Sequence, residues 1–323
     1  LPVDEAGRID ARVGLPGFRL TATGQQPLRG QLEINLDGLD RFAALVPDLQ
    51  DVGGQIDGDI GLSGTLGQPQ IRGNLSVLDV ALRVPAIGLE IAELNLTAAS
   101  EGASRMRLTG GALIGGGQLD LDGAITGIGD AEPSLEVELS GDALTVADTK
   151  EYNAVLSLNL EAGLGLGGGA VNGEINLPRA RIMPRTIPAG AVQPSQDVVV
   201  EEEASDQEPF PLSVDVLAKL GEDVLIEAFG LRGQLRGQLR VTKEPGGAML
   251  GDGELQVIDG TYRVSLPGLG LLTSVGKPLV IQKGIVVYAK TPLDNPGIIL
   301  SAQRQGGDIT AGVRVFGTLR NPK

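Results

Sequence analysis

The residue types that usually carry out chemistry are scarce in this chain. Its 323 residues include no His, no Cys and only three Tyr. Without imidazole or thiolate groups there is no His general base, no Cys nucleophile, no structural zinc site and no disulfide. Haem ligated by His or Cys and iron–sulfur clusters are excluded for the same reason. We therefore expect a protein that is not an enzyme, with no catalytic residues, no metal site and no cofactor.

One glycine motif has the spacing of a nucleotide-binding loop. Gly163-Leu-Gly-Leu-Gly-Gly168 fits the form G-x-G-x-x-G, whose glycines let a backbone approach a pyrophosphate at a helix N-terminus. The residues that follow, from Ala170 to Asn176, have a strand pattern rather than a helical one. We therefore interpret the motif as a hairpin turn.

An acidic run could hold calcium through carboxylate oxygens. Glu201-Glu202-Glu203 is followed by Asp206 and Glu208, but the fixed glycine and carboxylate spacing of calcium loops is missing. Charge repulsion and the prolines around the run predict a flexible loop at 193–211. We therefore expect three parts: a first β-groove segment at 1–192, this acidic loop, and a second segment at 212–323.

The net charge limits the partners. It is −15 at pH 7, and no polybasic run occurs. A surface that follows nucleic acid phosphates needs many Lys and Arg residues, so nucleic acid is not an expected partner. Arg232, Arg236 and Arg240 face away from the leucines between them, and we expect them to form a solvated edge.

The elements that must position any site are β-strands. Apolar residues alternate with polar ones along most of the chain, as in Leu32, Ile34 and Leu36, and such a period of two is typical of strands with one apolar face. One short helix is predicted at 40–46, with Asp40 as its N-cap and Pro47 after its end.

The same alternation predicts an all-β fold with an apolar groove. Aromatic residues make up only 2% of the chain, which leaves few large side chains to fill a thick core. We expect an elongated, curved sheet with an open, U-shaped cross-section and an apolar interior that suits lipid acyl chains. The residues expected to line this groove are Leu119, Leu121, Leu135, Val137, Leu139, Leu156, Leu158, Leu160, Leu164, Leu231, Leu235, Leu239, Val241, Leu255, Val257, Tyr262, Val264, Val313 and Val315.

A short motif occurs twice. Gly64-Thr-Leu-Gly-Gln-Pro69 and Gly317-Thr-Leu-Arg-Asn-Pro322 share the form G-T-L-x-x-P, and each follows an alternating segment. Pro cannot donate to a strand ladder, so the motif predicts a strand followed by a sharp reversal. Repetition of such a unit indicates a stacked architecture. The chain begins at Leu1 without an initiator Met, and we expect it to be a piece of a longer protein.

Several segments resemble the TamB family of AsmA-like proteins. The resemblance is carried by 47–54, by the G-T-L-x-x-P turn, by Glu151-Tyr-Asn153 and by 177–184. It is densest at Gly253-Glu-Leu-Gln-Val-Ile-Asp-Gly-Thr-Tyr262, at Ile281-Gln-Lys-Gly284, at Pro292-Leu-Asp-Asn-Pro296 and at 311–322. The resemblance implies a periplasmic β-taco, a curved sheet with a hydrophobic interior, which is anchored in the inner membrane by an N-terminal helix that this sequence does not contain.

The resemblance also implies a function and partners. One interpretation is a bridge that carries phospholipid from the inner to the outer membrane, with acyl chains in the groove. The alternative is a chaperone-like role in assembling outer-membrane β-barrel proteins and autotransporters. In either case the implied protein partner is the outer-membrane barrel TamA, which the family binds through a C-terminal tail expected after Lys323. Two alternatives of another class are a β-solenoid adhesin and a carbohydrate-active enzyme on such a scaffold. An adhesin should have a closed, filled interior, so an exposed trough would argue against it. An enzyme would need clustered carboxylates and aromatic platforms for sugar, and aromatic residues are scarce here.

Overall fold

The computed structural model describes residues 2–3, 7–17, 23–41, 48–130, 132–184, 210–228, 230–263, 278–306 and 309–323. Strands make up most of these residues, and the helical structure among them is limited to 3₁₀ turns at Thr23–Gln25 and 39–41. The all-β prediction is therefore confirmed. Of the helix predicted at 40–46, Asp40 and Arg41 lie in a 3₁₀ turn, and the remainder falls outside the described residues.

The strands follow one another with short connections in most places. They are β1 Pro2–Val3, β2 Gly7–Gly14, β3 Arg29–Asp37, β4 Gln50–Thr65, β5 Gln68–Val84, β6 Leu89–Ser100, β7 Met106–Ile114, β8 Gly117–Thr126, β9 Ser134–Asp148, β10 Tyr152–Gly165, β11 Gly168–Ile182, β12 Leu212–Ala228, β13 Leu231–Lys243, β14 Leu250–Tyr262, β15 Leu279–Pro292, β16 Gly297–Gly306, β17 Ile309–Thr318 and β18 Asn321–Pro322. The G-x-G-x-x-G motif lies at the hairpin between β10 and β11, as predicted.

The chain divides into two units. Unit 1 comprises Leu1–Asp148 and Val155–Gly173, and unit 2 comprises Thr149–Ala154 and Glu174–Lys323. In unit 1, consecutive strands from β1 to β9 pair antiparallel with one another. In unit 2 the same holds for consecutive strands from β12 to β18. Each unit is thus a meander with one apolar and one polar face. The predicted loop at 193–211 lies almost wholly outside the described residues, so the predicted domain boundaries stay predictions.

The repeated G-T-L-x-x-P motif has the same structure in both units. In unit 1 the backbone N–H of Leu66 donates to the carbonyl of Gln26 at 2.9 Å, and in unit 2 the N–H of Leu319 donates to the carbonyl of Pro296 at 2.9 Å. Each motif connects a strand to its antiparallel partner, so the predicted reversal is confirmed. In each case the turn is also tied to a preceding loop.

The chain has 49 glycines, and several of them lie inside strands on the apolar face. A Cβ atom at Gly58 would stand 2.9 Å from Cδ1 of Leu75, and one at Gly284 would stand 2.8 Å from Cβ of Val257. The aliphatic side chain of the adjacent strand therefore occupies the volume that a larger residue would need. This close packing of aliphatics over glycines explains part of the high glycine content.

Candidate functional site

The paired register of β8 and β9 places five predicted groove residues on one face of unit 1. Leu121 lies opposite Leu139, and Val137 lies opposite Gly123. Leu119 is two residues from Leu121 in β8, and Leu135 is two residues from Val137 in β9. Residues at this spacing lie on the same side of a strand, so both share this face. All five side chains are half-buried. The alternation that was read from the sequence therefore does produce one apolar surface here.

This face continues through the earlier strands of unit 1. Residues that lie opposite one another on successive strands form a row across the sheet. The row that contains Val137 has an aliphatic or small residue at every strand, and so do the adjacent rows. In strand order from β2 to β9, this row is Ile9, Ile34, Gly58, Leu75, Ala98, Leu108, Gly123 and Val137. Within the paired registers of β2–β9, every residue on this face is uncharged.

A hydrogen bond fixes the orientation of β10. Ser157 Oγ donates to Asp142 Oδ1 at 2.6 Å and accepts the backbone N–H of Ala143 at 3.2 Å. Asp142 pairs with Gln118 on the polar face, so Ser157 lies there too. By alternation the four predicted groove leucines of β10 point to the apolar face. They are Leu156, Leu158, Leu160 and Leu164.

Unit 2 has a corresponding apolar face. Leu235 is opposite Val257, and Leu231 is opposite Tyr262. The other predicted residues of this unit lie on the same face through the registers of β13 to β17: Leu239, Val241, Leu255, Val313 and Val315. Val264 lies outside the described residues. Leu235 packs with Ala180 and Val224 in a small buried cluster, whereas the remaining predicted residues are only half-buried.

The partial exposure of these aliphatics is the main property of both faces. Leu144 in unit 1 and Val224 in unit 2 are 1% exposed, so each unit does bury some side chains fully. The predicted groove residues that the structure describes, other than Leu235, nevertheless keep part of their surface open. A continuous aliphatic surface that stays partly open is characteristic of a binding face or an interface. That lipid binds there stays a prediction.

The opposite faces are polar and carry exposed ion pairs. In unit 2, Arg240 pairs with Asp215 at 2.7 Å and Arg232 pairs with Glu227 at 3.8 Å. Arg236 donates to the side chain of Gln234 at 3.2 Å. The prediction that these three arginines face away from the leucines is confirmed by the register. Exposed pairs of this kind add little stability, because solvent screens them.

The apolar face of unit 2 also carries residues that were not predicted there, namely Lys243, Arg304 and Tyr288. Lys243 follows Leu239 and Val241, and Arg304 follows Leu300 and Ala302, at the spacing of two that keeps a residue on the same face. The signal was therefore present in the alternation itself.

Tyr288 is the third of these residues. It lies on the apolar face opposite Gly253. Its hydroxyl donates to the carbonyl of Leu293 at 3.2 Å, and burial raises the pKa of this phenol above its ordinary value of 10.0. The ring therefore stays neutral at physiological pH and adds apolar area to the face.

No group of three or more Asp or Glu side chains in the described residues is arranged to hold a metal ion. Likewise, none of the helical segments described is long and apolar enough to cross a membrane. The acidic run at 201–208 lies outside the described residues, so its proposed calcium role is not addressed.

Fold and site together define a class: antiparallel β-meander proteins with an apolar, half-open face. Family models agree with this. The model for the TamB C-terminal domain matches residues 108–323, and the model for the TamB N-terminal domain matches 3–77. The chain is also 23% identical, over 92% of its length, to the translocation and assembly module subunit TamB of Haemophilus influenzae, of which it covers 23%. The chain belongs to the TamB family.

Proposed function

We propose that this chain is a segment of a periplasmic protein that carries phospholipid along its apolar faces from the inner to the outer membrane. The observation that supports the proposal is the half-open aliphatic surface of unit 1, which is uncharged throughout its paired registers. Acyl chains bind through contact area, at about 25 cal/mol per Å² removed from water, and need no directed hydrogen bonds. A surface of this composition suits them.

Membership of the TamB family supports the setting of this proposal. The relative from Haemophilus influenzae is named as a subunit of a translocation and assembly module, and this chain spans about a quarter of its length. We therefore propose that the segment acts within such a module in the cell envelope. In this proposal the outer-membrane barrel TamA is its partner and the inner-membrane anchor lies elsewhere in the longer protein. The segment itself acts as a carrier and not as an enzyme.

Lipid extraction tests the proposal directly. The purified chain should carry phospholipid that is detectable by mass spectrometry after organic extraction. A photocrosslinking residue at Leu158 or Leu235 should capture that lipid, because both side chains lie on the apolar faces. The same residue at Gln238, which is exposed on the polar face, is the matched control and should capture none. Absence of phospholipid together with no crosslinks at either leucine would contradict the proposal.

A charge on the apolar face should block transport. In the longer protein, Leu239→Arg places a charge among aliphatic side chains, and Leu235→Asp places one in the small buried cluster. Either change should abolish phospholipid movement between membranes, measured with labelled lipid. Gln238→Arg adds the same charge to the polar face and should leave transport intact. Normal transport in Leu239→Arg would mean that lipid passes elsewhere.

The printed name of the relative favours a second candidate, a role in assembling outer-membrane proteins. An extended polypeptide could also lie on an aliphatic face, but it would need partners for its backbone polar groups as well. The crosslinking experiment separates the two functions. Crosslinks from Leu158 to unfolded outer-membrane proteins, without crosslinks to lipid, would favour assembly over transport.

A further inference from the structure

Within the paired registers of β12–β17, the apolar face of unit 2 carries two charges, and both are positive. Lys243 lies opposite Val214 at the end of β13, and Arg304 lies opposite Ala311 near the end of β16. Within the paired registers of β12–β17, all Asp and Glu residues lie on the other face. This is unexpected in a chain whose net charge is −15.

Neither cation has an ion-pair partner among the described residues. Both side chains are half-buried. A cation that is partly removed from water and placed beside aliphatic groups is unfavourable without a compensating anion. No Asp or Glu in the paired registers of the apolar face supplies that anion, so an anion from outside the described residues would stabilise both cations.

The two cations lie toward opposite rims of the sheet. β13 ends at Lys243, and Arg304 lies two residues before the end of β16, which runs in the opposite direction. The thirteen residues of β13 span on the order of 40 Å. One acyl chain occupies about half of the roughly 30 Å hydrocarbon core of a bilayer, so it does not reach from one rim to the other. Each cation can therefore serve a lipid of its own, with the tails directed toward the middle of the face.

We propose that Arg304 and Lys243 bind the phosphate groups of phospholipids whose acyl chains lie on the apolar face of unit 2. The inference rests on the proposed lipid-carrying function and adds headgroup recognition to it. A guanidinium can hold two phosphate oxygens at once, and an ammonium provides a compact charge. An anion joined to aliphatic chains is the one ligand that satisfies both the cations and the surface between them.

A competition experiment tests this inference on the full 323-residue chain. The protein is equilibrated with equal amounts of dioleoyl phosphatidylglycerol and dioleoylglycerol, which share their acyl chains and differ in the phosphate-bearing headgroup. Bound lipids are quantified by mass spectrometry. The double variant Lys243→Gln/Arg304→Gln should lower the ratio of bound phosphatidylglycerol to dioleoylglycerol about tenfold, the order expected for a lost charge-assisted hydrogen bond. Binding of dioleoylglycerol should not change.

Two further variants make the result specific. Arg236→Gln removes a cation from the polar face of the same strand, β13, and should leave the ratio unchanged. Arg304→Lys retains the positive charge and should keep most of the preference. An unchanged ratio in the double variant would overturn the inference and would show that both side chains simply extend into solvent. An equal loss of both lipids would also overturn it, since that is the result of damaged packing.

The outcomes separate this inference from the proposed function. If the unaltered chain binds neither lipid, the proposed function fails. If it binds both lipids equally, the carrier proposal stands and headgroup recognition fails. Calorimetry with inorganic phosphate alone provides a further check. Phosphate binding that is lost in the double variant and does not depend on lipid would assign the two cations to a free anion and would overturn the inference.

Discussion

The apolar faces of the two units share a construction but differ in charge. In both, aliphatic side chains of one strand pack over glycines of the next, as at Gly58 in unit 1 and Gly284 in unit 2. The face of unit 1 is uncharged throughout its paired registers, whereas that of unit 2 carries Lys243 and Arg304. Unit 1 thus provides contact area alone, and unit 2 provides contact area and two positions for anions.

With the same sheet architecture, one unit can provide contact area alone while the other also selects the ligand. Alternation fixes which residues share a face, so a single polar residue at an even spacing changes what the face can bind. In unit 1 every such position is occupied by a residue without charge. Mutations of the shared construction should therefore have the same effect in both units. Mutations that alter ligand selection should have different effects in the two units.

The largest expected effect tests the shared construction. Gly73 of β5 and Gly237 of β13 have φ values of +140° and +136°, and a Cβ atom would stand 1.9 Å and 2.2 Å from the backbone oxygens of Asp59 and Glu254. Gly73→Ala and Gly237→Ala should each cost about 3 kcal/mol, from backbone strain and overpacking together. Amide hydrogen exchange, which reports local opening, should show the loss of protection in the mutated unit.

Gly163→Ala is the matched control for this pair. Gly163 lies in β10 outside the left-handed region, and no atom stands within 4 Å of a Cβ placed there. This variant should change stability by no more than about 0.5 kcal/mol. Tolerance of Gly73→Ala together with sensitivity of Gly237→Ala would show that the two units are not built alike.

The sequence was sufficient to predict most of the strands and, between bulges, the side chains that share a face. Alternation alone placed Leu121 and Leu139 together, because a period of two admits only one assignment of faces once a strand is accepted. It did not explain the glycines inside the strands, since their role depends on which residue of the neighbouring strand lies over them. Nor did it reveal the bulges, where residues such as Asp79 adopt a φ of +51°. Bulge positions depend on pairing between strands, which a single sequence does not display.

A smaller effect is expected at the bulges, where unit 1 has a side-chain bridge. Asn95 Oδ1 accepts the backbone N–H of Asp79 at 3.1 Å, and its Nδ2 donates to the carbonyl of Glu93 at 2.8 Å, so one amide joins the bulges of β5 and β6. Asn95→Ala should destabilise unit 1 by about 1 kcal/mol, the usual net value of such bonds. The free energy can be read from exchange of the Asp79 amide.

Asn74→Ala serves as the control for the bridge. Asn74 is an exposed amide on β5 in the same unit, so its truncation should change exchange by less than about 0.5 kcal/mol. The bulges of unit 2, at Asp259 and Lys290, should be unaffected by either change. If the two asparagine variants had equal effects, the bridge made by Asn95 would not contribute to the stability of unit 1.

The smallest effect concerns the polar face, where the two units are expected to behave alike. Lys219 Nζ donates to Glu174 Oε1 at 2.6 Å, and this bond holds the pKa of Glu174 below its ordinary value of 4.5. Because the folded-state pKa is below the unfolded value, the pair stabilises the protein above the unfolded pKa, and this contribution is lost as the pH falls through the folded pKa. Lys219→Met should raise the pKa of Glu174 toward its ordinary value, as measured by carbon NMR titration, and Lys283→Met on the same face should not. An unchanged titration of Glu174 in Lys219→Met would mean that solvent screens the pair completely. Neither result changes the difference between the units, which lies on the apolar face. An exposed ion pair is too weak to make the two units differ.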